Sequence, residues 1–336
     1  MTKGFVITVL GLAISASSLF AQGLASPACP AGSTNALGFP DQQRVAQDAC
    51  QQAYDLYQYM APQLGLALAG GNATLGQGSV LGGPGHFSVG VRGNVFNGTL
   101  PQVQQFTQST NGAQQSVLPT KSQVLGLPTA DAAIGIFSGL PLGVTNIFGI
   151  DALVSAAYVP TIRSGNVSIT PQKNWQFGYG ARVGLLSESI VVPGVSVTWI
   201  ERDLPTTNIV GTSGSNSLSV LDAKVKTSAW RVIASKSFII FGLAAGVGQD
   251  TYDQSAQISA AVSQNGFTGT ATIPNTAQTL KRTNAFFDAS LNLPLFKLVG
   301  EVGQASGGTV NTYNSFQGGR GDRSQVYGSA GLRLSW

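Results

Sequence analysis

Arg92, Arg182, Arg202, Arg282 and Arg333 fall on the polar side of segments whose residues alternate between apolar and polar, and Asp288 falls on the same side of one of them. Guanidinium groups gathered on one face attract anions and exclude cations where that face lines a passage. With Asp222, Lys224, Lys226, Asp288 and Glu301 beside them, the same groups make a salt-bridge and hydrogen-bond network that fills the space instead. Both readings stand at the level of sequence. Other chemistry is thin. Cys29, Cys50 and the single histidine, His86, cannot fill four tetrahedral zinc positions without carboxylate help, so no metal site is expected. Residues 69–85 are glycine-rich but hold neither a GK[ST] ending nor a complete GxGxxG, so they read as a flexible connector rather than a phosphate cradle. Arg320-Gly321-Asp322 is an RGD triplet within ordinary turn composition. The net charge of +4 is small and dispersed, which argues against nucleic acid as a partner. No cofactor is implied.

The elements that must position these residues follow from composition. Only 10% of the 336 residues are Asp, Glu, Lys or Arg, against about 25% in a typical soluble domain. The polar load falls to Ser, Thr, Asn and Gln, with 43 glycines. Residues 1–21 read as a secretory signal, with Lys3 as its positive end, Phe5 to Ile14 as its apolar run, and cleavage after Ala21 or Ala25. No later stretch reaches about 18 continuous apolar residues; the longest, Phe238 to Val247, is broken by Gly242 and Gly246. Export to an oxidising compartment predicts one disulfide, Cys29 to Cys50, contributing roughly 3 kcal/mol. Residues 22–85 form an N-terminal segment. Within it, Val45, Ala46, Ala49, Ala53, Leu56, Tyr57 and Met60 recur at three-to-four spacing, which predicts an amphipathic helix over about 41–61, capped by Asp41 and ending or kinking at Pro62.

Residues 86–336 alternate with period two. Phe87, Val89, Val91 and Val95 oppose Ser88, Arg92 and Asn94; Phe177, Tyr179 and Val183 oppose Gln176 and Arg182; Phe287, Ala289 and Leu291 oppose Asp288, Ser290 and Asn292. Such strands build either a soluble sandwich with apolar faces inward or a membrane barrel with apolar faces outward. Clean alternation over about ten residues matches a tilted membrane-spanning strand. Short connections near Pro193, Ser237 and Pro294 alternate with longer polar ones near 101–130, 161–173, 209–215, 263–276 and 313–321, the layout of an outer-membrane barrel. The expected fold is therefore an all-β antiparallel transmembrane barrel of about ten strands, starting near residues 86, 131, 149, 174, 194, 217, 239, 279, 296 and 323, with residues 101–130 able to hide another pair. A loss of parity near Trp230-Arg231 predicts a bulge or a strand boundary placed elsewhere.

The chain ends in a strand with Val326, Ala330, Leu332, Leu334 and Trp336 on one face. This resembles the terminal strand of bacterial outer-membrane barrels, in which an aromatic C-terminus is the signal for the barrel-assembly machinery. The resemblance implies outer-membrane lipid and that machinery as partners, and the bacterial outer membrane as the location. The helix ahead of the barrel is loosely similar to the N-terminal plug of fatty-acid-transporting outer-membrane barrels, which would imply passage of hydrophobic molecules; a periplasmic cap or an assembly handle are its other readings. Enzymatic activity is not expected, because outer-membrane hydrolases work at the outer end and His86 sits at the opposite one. Two functions remain: passage or binding of a small-molecule cargo of hydrophobic or anionic character, or a structural, surface-interacting barrel.

Overall fold

The computed structural model describes Cys29 and residues 42–336 apart from 165, 265 and 266. The expected signal peptide and Asp41 lie outside the described residues. Ten antiparallel strands form the wall: β1 Phe87–Pro101, β2 Thr120–Phe137, β3 Gly149–Tyr158, β4 Trp175–Leu186, β5 Gly194–Asp203, β6 Asn216–Ser237, β7 Phe241–Gln264, β8 Phe267–Asn292, β9 Lys297–Ala305 and β10 Gln325–Ser335. Each pairs with the next, except that β1 closes on β10, so at this level the sheet has no free edge. Ring closure is what lets every backbone group of the wall find a partner within the wall. Phe87 and Trp336 meet at one end, where their backbones exchange hydrogen bonds of 3.0 and 2.9 Å and their rings stack at 4.8 Å. The short connections lie at this end, and the long ones lie at the other.

Along the lower part of the wall the apolar parity faces outward. Phe87, Val89, Val91, Phe177, Phe287 and Leu332 are all exposed, Phe177 by 67%. Higher up, three strands outrun the ring. β6, β7 and β8 are 22, 24 and 26 residues long, against 9 to 12 for β3, β4, β5, β9 and β10. Their upper halves, with the strands Thr207–Ser213, Val167–Pro171 and Ile162–Ser164, form an extension here called the head. In the head the polarity is reversed: Ile258, Ala260, Val262, Ala271 and Ile273 are buried inside, and Asp253, Thr270 and Thr272 lie outside.

This reversal corrects two expectations. The stretches 263–276 and 209–215 are mostly strand, and β8 begins at Phe267 rather than near 279. Their outward face is Ser, Thr and Gln because it meets water, and such a face reads as loop composition. β2 likewise begins at Thr120, eleven residues before the expected start, so most of the hidden length in 101–130 is the upper half of one strand. The bulge in β6 is also elsewhere. Trp230 stays outside and Arg231 inside without a break, whereas parity shifts between Leu221 and Lys224, where Asp222 adopts φ 49°. Asp222, Lys224 and Lys226 share the outward side with Trp230, so none of them faces the lumen; Lys226 pairs instead with Glu201 on the outer surface.

The helix, α1, spans Gln42–Ala69 and continues through Pro62. A proline inside a helix removes one backbone hydrogen bond and usually bends or ends it. Here tertiary contacts hold the next two turns: Gln63 bonds the backbone of Thr99 as donor at 3.0 Å and as acceptor at 2.9 Å, the Ala61 carbonyl accepts from the Gln254 amide, and Leu66, Leu68 and Ala69 are buried. The helix sits at the head end, joined by the Cys29–Cys50 disulfide. It is therefore not a cap at the short-turn end. Residues 70–85 run from its C-terminus down the inside of the ring to β1.

Candidate functional site

The lumen is occupied by the chain's own residues 70–85, and the charged residues of the wall are directed at that segment's backbone. At the end of α1, Arg92 Nη1 donates to the Gly70 carbonyl at 2.7 Å, while Arg231 donates to the carbonyls of Ala69 and Gly71. Ala69 ends the helix and Gly70 and Gly71 follow it, so these carbonyls have no partner inside the helix, and cations suit that end of the helix dipole. Gly71 turns the chain with φ 80°, and a Cβ there would stand 2.3 Å from Arg92 Nη1. Below it, the Asn72 N–H donates to Glu301 at 3.0 Å, and the Gly76 N–H to Asp288 at 2.9 Å. Arg333 donates to the Leu75 carbonyl at 2.7 Å, and the Gly78 N–H donates to Ser235 Oγ at 2.8 Å. Near the bottom, Arg182 Nη1 reaches the Gln77 carbonyl at 3.4 Å, and the Leu81 N–H donates to Asp151 at 3.2 Å. Three acceptors lead the thread, and from Asn72 to Gly78 donors and acceptors alternate, each finding the partner that backbone outside a sheet requires.

The gripping groups are themselves cross-braced. Arg182, 0% exposed, forks onto Asp151 through Nε at 2.8 Å and Nη2 at 2.6 Å. Arg92 Nε pairs with Asp131 at 2.6 Å, and Arg202 Nη2 lies 3.6 Å from the same carboxylate. Arg202 also donates to Ser155 Oγ at 3.1 Å. Arg231 lies 3.4 Å from Asp250 and 5.5 Å over the Phe286 ring. Among the described residues of the wall, six buried arginines (92, 182, 202, 231, 282, 333) face five buried acids (131, 151, 250, 288, 301). The sequence-predicted Arg92, Arg182, Asp288 and Arg333 thus come together on the thread, and Arg202 braces them. Arg282 does not join them. It donates to the carbonyls of Ser306 at 2.6 Å and Arg323 at 2.7 Å, and so holds the connection 306–324 between β9 and β10.

Sequence reasoning missed Arg231, Asp131, Asp151 and Asp250. Arg231 has Ala229 and Ile233 as its inward neighbours, which hides its face. Asp131 and Asp151 each stand within runs of Ala, Ile, Leu and Val, and a carboxylate in such a run marks an inward position. The flexible connector expected over residues 69–85 is not what the structure holds. Instead, Asn72, Thr74, Leu75, Ser79 and Val80 are buried. A cavity of about 20 Å³ lies between Thr74, Arg92, Asp131 and Arg333. A hollow of about 310 Å³ opens at the lower rim beside His86, lined by Phe87, Val89, Ala132 and Ile134.

At the head end, two aspartates of α1 tie down the long connections. Asp55 accepts from the backbone N–H groups of Tyr313 at 3.1 Å and Asn314 at 2.8 Å, from Asn314 Nδ2 at 2.8 Å and from Gln51 at 3.1 Å. Burial outweighs those bonds and pushes its carboxyl up to about 6. Asp48 accepts from Ser109 at 2.8 Å and Gln114 at 2.9 Å, and burial pushes it up as well. The RGD triplet is part of this structure. Arg320 pairs with Asp322 at 2.8 Å, and Asp322 is buried and accepts from the Val310 N–H at 2.7 Å, so the triplet is folded inward rather than presented.

No protein-family model matches the sequence, and no curated protein does. Among solved structures, the chain is similar to the outer membrane protease OmpT of Escherichia coli, with 8% identity over 75% of this chain and 97% of that one and a TM-score of 0.35. It is similar to the transport unit of the autotransporter AIDA-I of Escherichia coli, with 6% identity over 86% and 99% and a TM-score of 0.33. The anion-selective porin of Comamonas acidovorans matches with 10% identity over 75% and 98% and a TM-score of 0.17. At these scores nothing about this chain's activity follows from the likeness.

Proposed function

We propose that the chain is an outer-membrane barrel for controlled passage or binding of small molecules, held closed in this state by its own N-terminal segment. The observation that carries the reading is the thread at 70–85. A lumen meant only to be filled needs nothing beyond side chains from the wall, as in barrels near eight strands. Here a separate, glycine-rich stretch of backbone fills it, held largely by charged and hydrogen-bonded side chains that could exchange it for water or for a polar cargo. The outward apolar parity of the lower wall supports placement in a bilayer, and the reversal of polarity in the head supports an aqueous space above it. Six arginines against five acids make the lumen nearly neutral, so weak selectivity is expected once the thread is displaced, in place of the anion constriction that the arginines suggest when counted without their partners.

Recording in planar bilayers tests this reading. The wild-type protein should be silent, and the Arg92→Ala/Arg231→Ala double variant, which frees the carbonyls of residues 69–71, should show channel openings. Silence from both, with no uptake of small ligands, would sink the passage reading. The alternative, a structural barrel that acts through its surface, is favoured by the head, which has its own buried core and disulfide.

A further inference from the structure

The short-turn end of the barrel carries an unusual surface. In the turn 187–193 between β4 and β5, Ile190 is 95% exposed and Val191 is exposed beside it. In the turn 238–240 between β6 and β7, Ile239 is 96% exposed and Ile240 is exposed too. The tips at Leu142 and Leu295 are apolar in the same way. Turns that dip into water are normally polar, with their backbone groups solvated.

Here most of the turn carbonyls find partners within the chain. Lys236 Nζ donates to the carbonyls of Ser189, Ile190 at 2.9 Å and Val192 at 3.4 Å, and Glu188 accepts from the Ser237 N–H. Ser189 N–H bonds the Val192 carbonyl at 3.0 Å, and Val192 N–H bonds Ser189 Oγ at 3.2 Å. In the next turn, Asn292 donates its backbone N–H to Ile240 and its side-chain amide to Phe238, each at 2.9 Å. Carbonyls bonded from within beneath apolar side chains suit hydrocarbon better than bare turns, because an unpaired polar group there costs several kcal/mol.

The height of the apolar wall points the same way. On β5 and β6 the outward apolar face is short: Trp199 and Trp230 mark its upper edge, and the Glu201–Lys226 pair lies just above them. From Trp199 down to Val195 is about 14 Å along the strand, or about 10 Å along the barrel axis at the usual tilt, against an apolar band of about 25 Å in barrels of this kind. The two apolar turns flank this arc and continue its surface downward. We propose that the short-turn end over β4–β7 is inserted in the lipid: Ile190, Val191, Ile239 and Ile240 lie among the acyl chains of the inner leaflet rather than in the periplasm. This rests on the bilayer placement proposed above.

The test uses the full chain with one added cysteine carrying an environment-sensitive fluorophore, in vesicles of phosphatidylethanolamine and phosphatidylglycerol. Labels at Ile190→Cys and Ile239→Cys are compared with one in the middle of the apolar face, at Phe287→Cys, and one on the outer face of the head, at Thr272→Cys. Heat-modifiable migration on gels checks that each variant is folded. Lipids with a spin-labelled acyl chain should quench Ile190→Cys and Ile239→Cys at least half as strongly as Phe287→Cys, and aqueous iodide should quench them several-fold less than Thr272→Cys. Quenching by iodide but not by lipid at both turn positions, with Phe287→Cys still quenched by lipid, would overturn the proposal and leave the tips facing water or a periplasmic protein. Loss of lipid quenching at Phe287→Cys as well would remove the bilayer placement itself.

Discussion

Below Asp250, β7 turns Phe241, Leu243 and Val247 outward and keeps Asp250 inside; above it, Asp253 faces out and Ile258, Ala260 and Val262 face in. The N-terminal segment meets each half of the wall with a matching half of its own. In the head, α1 presents Val45, Ala46, Ala49 and Ala53 to an apolar core with Ile258 and Ile273. In the ring, residues 70–85 present backbone to Arg92, Arg182, Arg231, Asp288 and Glu301. One continuous segment is thus anchored by burial at the top and gripped by charge in the middle. On the bilayer placement proposed above, the difference follows from which solvent lies outside the wall. Where the outside is apolar the inside must take the polar residues, and it can hold a plug only by pairing them. Where the outside meets water the inside is free to be apolar.

The grip should give the largest effects. Arg182→Ala leaves Asp151 buried without its fork, and breaking a buried pair from one side costs roughly 3–5 kcal/mol. The temperature at which the folded gel band disappears should fall accordingly. The double variant Arg182→Met/Asp151→Leu removes both charges and should cost less than the single one. Equal losses would mean that the pair is not coupled, and the contrast between a charged grip and an apolar anchor would fail.

The anchor should behave differently. Ile258→Ala removes a fully buried side chain from the head and should cost about 2–5 kcal/mol. It should raise protease cleavage in the connections 306–324 and 102–119 while bilayer recordings stay silent, because the thread below is untouched. Channel openings in this variant would show that the head, not the ring, keeps the barrel shut. Replacing both Cys29 and Cys50 by Ser should cost about 3 kcal/mol, from the loss of a loop constraint of this length, again without opening the lumen.

Much of the wall was legible, because a strand with an exposed apolar face and a lumen on the other side keeps strict parity: Phe87, Val89, Phe177 and Phe287 set the outward face of their strands and so put Arg92, Arg182 and Asp288 inside, while Trp199 and Leu332 do the same for Arg202 and Arg333. The head was not legible. Ser259 and Thr272 face water there, and a strand with Ser and Thr outside and Ala inside loses the contrast that marks it. The thread was hidden for another reason. Its glycines read as flexibility, yet Gly71 and Gly76 are needed at φ 80° and 70° to pass between the wall's side chains. No periodicity announces that a segment's partners are backbone atoms, so the arginines could be placed on a face without showing what they hold.

The smallest expected effect is a pH dependence confined to the head. Asp55 carries a carboxyl raised by burial from 3.8 to about 6, so between those values the folded protein holds a proton that the unfolded chain has released. Stability from this group is fully present below about pH 3.8 and is lost as the pH rises through about 6. At about 1.36 kcal/mol per unit the full difference is at most about 3 kcal/mol, of which about 1 kcal/mol appears between pH 7.5 and pH 5. Asp48 shifts in the same direction and adds to it. The head should therefore resist proteolysis at 306–324 slightly better at pH 5 than at pH 7.5, and Asp55→Asn should remove most of that difference. Asparagine keeps an oxygen to accept from Tyr313 or Asn314 but cannot ionise, so the variant should sit near the acidic wild-type value at both pH values. A pH profile unchanged by Asp55→Asn would assign the dependence to Asp48 or to the charged groups of the ring, and would move the titrating part of the molecule from the anchor to the grip.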